Sequence, residues 1–232
     1  MNIAMILSGG VGTRFGGDIP KQYVKVGGRP IIAYGLATFL ADRHIDEVII
    51  CLAPEWQSLV MVSLAKMPTD KIVRFSRPGD TRQETIYNAL ELMEEQGCGD
   101  DDIVIIHDAA RPLVTTELID KCLAACEGYD GVLPVLPMKD TIYQSLDGKH
   151  ISCLLERNQL FAGQAPESFR FGKYLAAHKK LGRKAVALIK GSSEIAYKCG
   201  MSIRLIDGDE QNFKITTQED LSNFENIIGH EG

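Results

Sequence analysis

Short apolar runs alternate with amphipathic stretches over the first two thirds of the chain. NIAMIL (2–7), DEVIICLA (46–53), KIVRF (71–75), DIVIIHD (102–108) and DGVLPV (130–135) are rich in β-branched residues, as buried strands are. Between them, 30–42, 55–66, 80–96 and 115–127 carry apolar positions at helical spacing, with Pro30 placed for a first helical turn. This βαβα rhythm predicts an α/β fold: a mainly parallel, Rossmann-like sheet sandwiched by helices. After Pro137 the rhythm changes. KDTIYQSLDGKHISCLL holds two alternating runs joined by LDGK, which predicts a β-hairpin protruding as an arm over 137–157. SIRLIDGD (202–209) reads as a returning strand, and TTQEDLSNFENII as a C-terminal helix with Thr217 as N-cap and Asp220 at N3. The whole of 1–232 then forms one domain, with the arm inside it.

Composition narrows the function without choosing it. The 45% hydrophobic and 24% charged fractions suit a globular chain with a sizeable core. A net charge of −6 argues against a nucleic-acid partner, so an anionic ligand needs a local cationic site. No apolar run approaches the roughly 18 residues of a membrane helix, so no membrane partner is expected. Six cysteines (Cys51, Cys98, Cys122, Cys126, Cys153, Cys199) lack CxxC spacing, and no signal peptide is evident, which predicts a reduced, cytoplasmic setting. Cys122 and Cys126 share a helix face with no ligands to complete a zinc site, and read as structural.

The chemistry begins where the first strand ends, in LSGGVGTRFGGDIPKQY (7–23). Glycines there let backbone N–H groups face a ligand with no Cβ in the way, which suits phosphate. The P-loop string is absent. The dinucleotide fingerprint starts at Gly10 and Gly12 but meets Phe15 at its third glycine, and no acidic residue closes a second strand. A third reading adds Arg14 and Lys21, two cations that with backbone amides can neutralise a triphosphate. Its bland alternative is a glycine-rich turn with two solvated cations.

Six segments carry a resemblance: GGVGTRFGGDIPKQY, RPGDTRQETIYNAL (77–90), IIHDAARPLV (105–114), PMKDTI (137–142), RNQLFAGQAPESF (157–169) and NFKITTQEDL (212–221). Together they resemble the successive motifs of the 2-C-methyl-D-erythritol 4-phosphate cytidylyltransferase family and its ribitol 5-phosphate sister group, from residue 3 to about 228. The resemblance implies a nucleotide-diphospho-sugar transferase-like fold. It implies attack by an acceptor phosphate on the α-phosphorus of CTP, releasing pyrophosphate without a covalent enzyme intermediate. Arg14 and Lys21 match the family's α-phosphate stabilisers, and Lys214 its lysine near acceptor and metal. Ser8, Gly9, Gly10, Gly12 and Thr13 would hold the CTP phosphates, and Pro78, Gly79, Asp80, Arg82 and Thr85 its base. The alternative for the last group makes Asp80 an N-cap and Arg82 and Thr85 an exposed helix face.

Asp108, at the end of a very apolar strand, suits Mg²⁺, with Asp209 or Glu210 as weaker candidates for a second carboxylate. His107 reads as structural, since an ionised phosphate needs no base. Arg111 would face the acceptor's phosphate, and Thr141 and Arg157 would cross on the arm into a neighbour's site in a homodimer. An arm packed on its own sheet is the alternative. Where the family carries a Thr-Asp pair for the acceptor, this chain has Lys190 and Gly191: Lys190 replaces a hydroxyl with a charge, or Ser192 or Ser193 serves instead. Ala165 and Glu167 depart from the family pattern in the same neighbourhood. Methylerythritol phosphate is favoured over ribitol phosphate as acceptor. A CTP-binding protein without turnover stands as the reading of another class, and a dehydrogenase as a distant third.

Overall fold

Strand β1 (Asn2–Leu7) is apolar on both faces because both are covered: Ile3 and Met5 enter one core, Ala4 and Ile6 the other. In the computed structural model, which describes residues 1–10 and 19–230, a short β2 (Lys25–Val26) and β3 (Arg29–Pro30) hairpin follows, then α1 (Ile31–Ala41). Pro30 is extended at the N-cap, with ψ of 145°, and not inside the first turn as its position suggested. Next come β4 (Glu47–Cys51), α2 (Gln57–Leu64), β5 (Ile72–Ser76), α3 (Arg82–Glu95), β6 (Ile103–Asp108), α4 (Thr116–Ala125) and β7 (Gly131–Pro137). The arm holds β8 (Tyr143–Gln144) paired antiparallel with β9 (Cys153–Leu154). The chain ends through β10 (Phe161–Gly163), β11 (Glu167–Arg170), α5 (Phe171–Leu188), α6 (Ser192–Lys198), β12 (Ile203–Asp207) and α7 (Gln218–His230).

Eight strands form the central sheet. β5, β4, β1 and β6 run parallel, β11 inserts antiparallel between β6 and β7, and β12 pairs parallel with β7. The two faces then build separate cores. Ile3, Met5, Val104 and Ile106 pack with Ile86 and Leu90 of α3 and Tyr174 of α5. On the opposite face Ala4, Ile6, Val48 and Ile105 pack with Leu36 and Phe39 of α1 and Ile119 of α4. α5 breaks at Gly182, whose φ of 76° a side chain would strain. In α7 Asp220 Oδ2 accepts from Thr217 N at 2.8 Å and Asp220 N donates to Thr217 Oγ1 at 3.2 Å, so aspartate completes the expected cap. All six cysteines are unpaired. Burial pushes the Cys126 thiol up to about 11, as suits a packing role.

Candidate functional site

The parallel strands of an open α/β sheet deliver their C-terminal ends to one edge, and a cavity of about 620 Å³ lies there. Gly9 and Gly10 leave β1 on one wall. A Cβ on Gly9 would fall 2.4 Å from Pro78 Cβ, so only glycine lets the two segments approach this closely. Lys21 lines the cavity beside Gln22, whose amide donates to the Ser8 and Gly10 carbonyls at 2.8 Å each. Ser8 itself is buried and donates to the Tyr23 hydroxyl at 2.9 Å. Gly12, Thr13 and Arg14 lie outside the described residues.

Pro78, Gly79, Asp80 and Thr81 form the facing wall and lead into α3. The N-cap here is Thr81, not Asp80: Thr81 Oγ1 accepts from Glu84 N at 3.2 Å and Glu84 Oε2 accepts from Thr81 N at 3.0 Å, a complete capping box. Asp80 is thereby left to the cavity. Thr85 is buried rather than exposed; its hydroxyl accepts from Gly79 N and donates to the Thr81 carbonyl, both at 3.0 Å. These bonds pin the turn whose backbone faces the cavity.

Asp108, at the tip of β6, draws the charges together. Arg82 Nε donates to its Oδ1 at 3.1 Å, Lys214 Nζ to its Oδ2 at 2.8 Å, and Arg111 Nε stands 4.0 Å away. Burial alone would raise the carboxyl, but Arg82 and Lys214 outweigh it and hold Asp108 well below the usual carboxylate range. Arg82 loses proton affinity to burial and regains more from Asp108 and Glu167, so it stays charged. Arg111 donates to the Asn212 carbonyl at 2.6 Å, while its buried Nε has no hydrogen-bond partner among the described residues. His107 is buried, with Nε2 at 2.9 Å from the Arg111 carbonyl and its ring against Phe39. Burial lowers its pKa to about 4, which keeps the ring neutral at pH 7 and fits the structural reading.

Sequence reasoning missed how far this network extends. Arg82 Nη1 donates to Ser192 Oγ at 2.5 Å, and Nη2 reaches Glu167 Oε1 at 3.5 Å. Glu167 Oε2 accepts from both the nitrogen and the hydroxyl of Ser193, at 3.1 and 2.6 Å. Ser192 and Ser193 of α6, and not the Lys190 side chain, therefore meet the cluster. Lys190 is exposed and contributes its carbonyl to Gln83 Nε2 at 3.1 Å. Thr141 and Arg157 are exposed on the arm, where Arg157 donates to the Lys139 carbonyl at 3.0 Å, and neither lines this cavity. Nor do Asp209 and Glu210; Glu210 pairs with Lys139 at 2.5 Å on the surface. Of the expected residues, Gly9, Gly10, Lys21, Pro78, Gly79, Asp80, Arg82, Thr85, Asp108 and Lys214 come together around one cavity.

Among known proteins, the family model described as 2-C-methyl-D-erythritol 4-phosphate cytidylyltransferase matches residues 2–230. A curated relative, the bifunctional enzyme IspD/IspF of Rhodospirillum rubrum, is 35% identical over 229 residues. The match takes in 99% of this chain and 57% of that protein, so the chain spans little more than half of its relative. The solved 2-C-methyl-D-erythritol 4-phosphate cytidylyltransferase of Francisella tularensis is 26% identical with a TM-score of 0.79, covering 97% of this chain and 99% of that one. Its counterpart from Thermus thermophilus is also 26% identical, with a TM-score of 0.73 and 98% of each chain covered. The 4-diphosphocytidyl-2C-methyl-D-erythritol synthase of Anaerococcus prevotii shares the fold at a TM-score of 0.82 with 23% identity, over 98% of this chain and 96% of that one.

Proposed function

Because the chain belongs to the 2-C-methyl-D-erythritol 4-phosphate cytidylyltransferase family, we propose that it transfers the cytidylyl group of CTP to 2-C-methyl-D-erythritol 4-phosphate and releases pyrophosphate. The observation that carries this reading is the convergence of Arg82, Lys214 and Arg111 on Asp108, across a cavity from the glycine end of β1. Transfer of this kind asks for positioning and charge neutralisation more than for proton abstraction. In the proposed reaction Gly9 and Gly10, with the segment beyond them, hold the triphosphate, while the cytosine fits the Pro78–Asp80 turn, where backbone groups read its edge. Lys21, together with Arg14, meets the charge that grows on the α-phosphate as the acceptor's oxygen attacks. Arg111, ion-paired with Asp108, answers the acceptor's phosphate in this proposal, and Ser192, buried and bonded to Arg82, holds that guanidinium in place.

Mg²⁺ fits this donor set. Asp108 is a hard oxygen ligand at the cavity, Asp80 lines the same space, and phosphates supply the remaining oxygens. Both oxygens of Asp108 are engaged by cations, so the ion is expected to bind with CTP and not before it. When bound it supplies charge neutralisation to the phosphates. On the arm, Leu146 (86% exposed), Ile151 (68%) and Leu154 (60%) present apolar surface that a second copy would cover. We therefore include a homodimer, with Thr141 and Arg157 donated to the neighbour's cavity, in the proposal. Among the described residues no helix is long and apolar enough to cross a membrane, and the six unpaired thiols fit a cytoplasmic setting.

The test is pyrophosphate release with CTP and Mg²⁺ against methylerythritol 4-phosphate, ribitol 5-phosphate and no acceptor. Release with the first acceptor alone is the expected result. Release only with ribitol 5-phosphate would move the enzyme to the sister activity. CTP binding by calorimetry without release would leave a nucleotide-binding protein.

A further inference from the structure

A second hollow, of about 860 Å³, lies between α1 and α2, away from the cavity described above. Its walls follow from the helical repeat. α1 turns Ala33, Ala37 and Ala41 toward it, four residues apart each time, and α2 turns Leu59 and Val62. Alanines cannot fill the space between two helices resting on one sheet, so a trough remains, about 12 Å long from Ala33 to Ala41 at the helical rise. Val62 stays 62% exposed in it. The apolar lining offers a water few partners, so displacing it with methylenes is favourable.

The charge around this trough runs against that of the chain. The protein carries −6 overall, yet the charged residues lining the trough are Lys25, Arg29 and Lys66, with no carboxylate among them. Lys25 and Arg29 belong to the β2–β3 hairpin, which leads directly into the start of α1. Arg29 is held in place there: its guanidinium lies 4.6 Å over the Tyr34 ring and donates to the Ala33 carbonyl at 3.3 Å. Most of its five donors remain to meet an anion.

We propose that the trough binds one single-chain amphiphile with an anionic head group, its head at Lys25 and Arg29 and its tail along the alanine stripe of α1. The walls are largely apolar, with Ser58, Ser63 and Lys66 as the other polar side chains, and disfavour a sugar or a bare anion, while Lys25 and Arg29 disfavour a cationic amphiphile. No aromatic ring lines the trough, which disfavours a nucleobase.

The test is calorimetric titration of the full chain with octyl, decyl and dodecyl phosphate below their micelle concentrations, against dodecyl maltoside and dodecyltrimethylammonium. A single saturable site is expected, with Kd falling about two- to fourfold per methylene while the tail lies in the trough. The phosphates should bind at least tenfold tighter than the maltoside. Lys25→Glu with Arg29→Glu should weaken dodecyl phosphate at least tenfold, and Ala37→Trp should abolish the site. Val62→Asp, at an exposed position, repeats the block should Ala37→Trp fold poorly by circular dichroism. Equal binding of the neutral or cationic detergent, absence of saturation, or binding retained in both blocked variants would overturn the proposal. So would sedimentation showing that the trough is an interface between copies which Val62→Asp dissolves. None of these readouts uses CTP turnover, so they stand or fall apart from the cytidylyl reading.

Discussion

Asp108 neutralises cations that would otherwise repel one another, and it keeps Arg82 and Lys214 aimed at one point. Lys21 lines the same cavity, and in the proposed reaction it plays a different part, meeting charge that appears mainly in the transition state. Lys21→Ala is therefore expected to lower kcat by about a hundredfold or more and to change the KM for CTP only a few-fold. Steady-state kinetics decides it, and an unchanged kcat would remove Lys21 from the chemistry. Glu167 acts at one remove, through Arg82 and Ser193. Glu167→Gln should raise the KM for the acceptor several-fold while the KM for CTP holds, and should cost about 1–2 kcal/mol of stability. Equal shifts in both constants would reduce Glu167 to general support. Lys21, Arg82 and Asp108 were legible because each sits in a contiguous motif. Glu167 and Ser192 were visible only as departures from a pattern, since their bonds to Arg82 span 85 and 110 residues of chain. Gln22 had no signal of its own, because a residue whose work is to hold two backbone carbonyls reads as an ordinary polar residue.

At the start of α3 the boundary follows capping chemistry more closely than apolar spacing. Both Asp80 and Thr81 can cap α3, and the choice falls on Thr81 because Glu84 stands three residues after it and returns the bond. Thr81→Ala should cost about 1 kcal/mol in a denaturant titration, and also weaken CTP binding because the same turn faces the cavity. Loss of stability without loss of CTP affinity would separate the turn from the nucleotide. Of the strands in the βαβα rhythm, β1, β4 and β6 were legible because both faces of each are covered, and β5, at the sheet's edge, by its short β-branched run. β11 was not: Glu167 and Ser168 are buried in it for the sake of the site and the sheet, so its polar residues conceal a strand. β2 and β3 have two residues each, too short for any period to show, whereas the paired β8 and β9 fall within the hairpin expected over 137–157.

Over the whole molecule, two buried histidines govern the acid side of stability. Burial lowers His107 and His178 alike, each to about 4. Between about pH 6.5 and 4 the unfolded chain therefore binds protons that the folded chain refuses. Stability is full above that window and falls as pH drops through it, by at most about 2.7 kcal/mol per pH unit for two sites. Asp108, held low when folded, adds its own loss only in stronger acid, below the ordinary carboxylate range. Urea midpoints from pH 7 to 4.5 should trace this decline, and His178→Leu should flatten it by about half; a slope unchanged by that substitution would point elsewhere. The layered fold and its two cores were legible in the alternation of apolar runs. The strand order, with β11 threaded between β6 and β7, was not, because the return of a chain across a sheet leaves no mark on local pattern.

The root of the arm has a consequence for how the molecule could be cut. Phe161 pairs with Pro137, and Met138 N donates to the Leu160 carbonyl at 3.1 Å. The chain thus leaves the sheet and rejoins it at neighbouring points, as a graft joins a stem. Residues 139–159 can be exchanged for a tight turn with β7 and β10 untouched, and the shorter loop should raise stability by about 1 kcal/mol. The trimmed protein should gain about 2–4 °C in thermal midpoint and keep its affinity for CTP. If the arm completes a neighbour's site, trimming will also leave monomers that bind nucleotide and turn over almost none of it, and mixing them with full-length chains should restore activity in only some of the pairs.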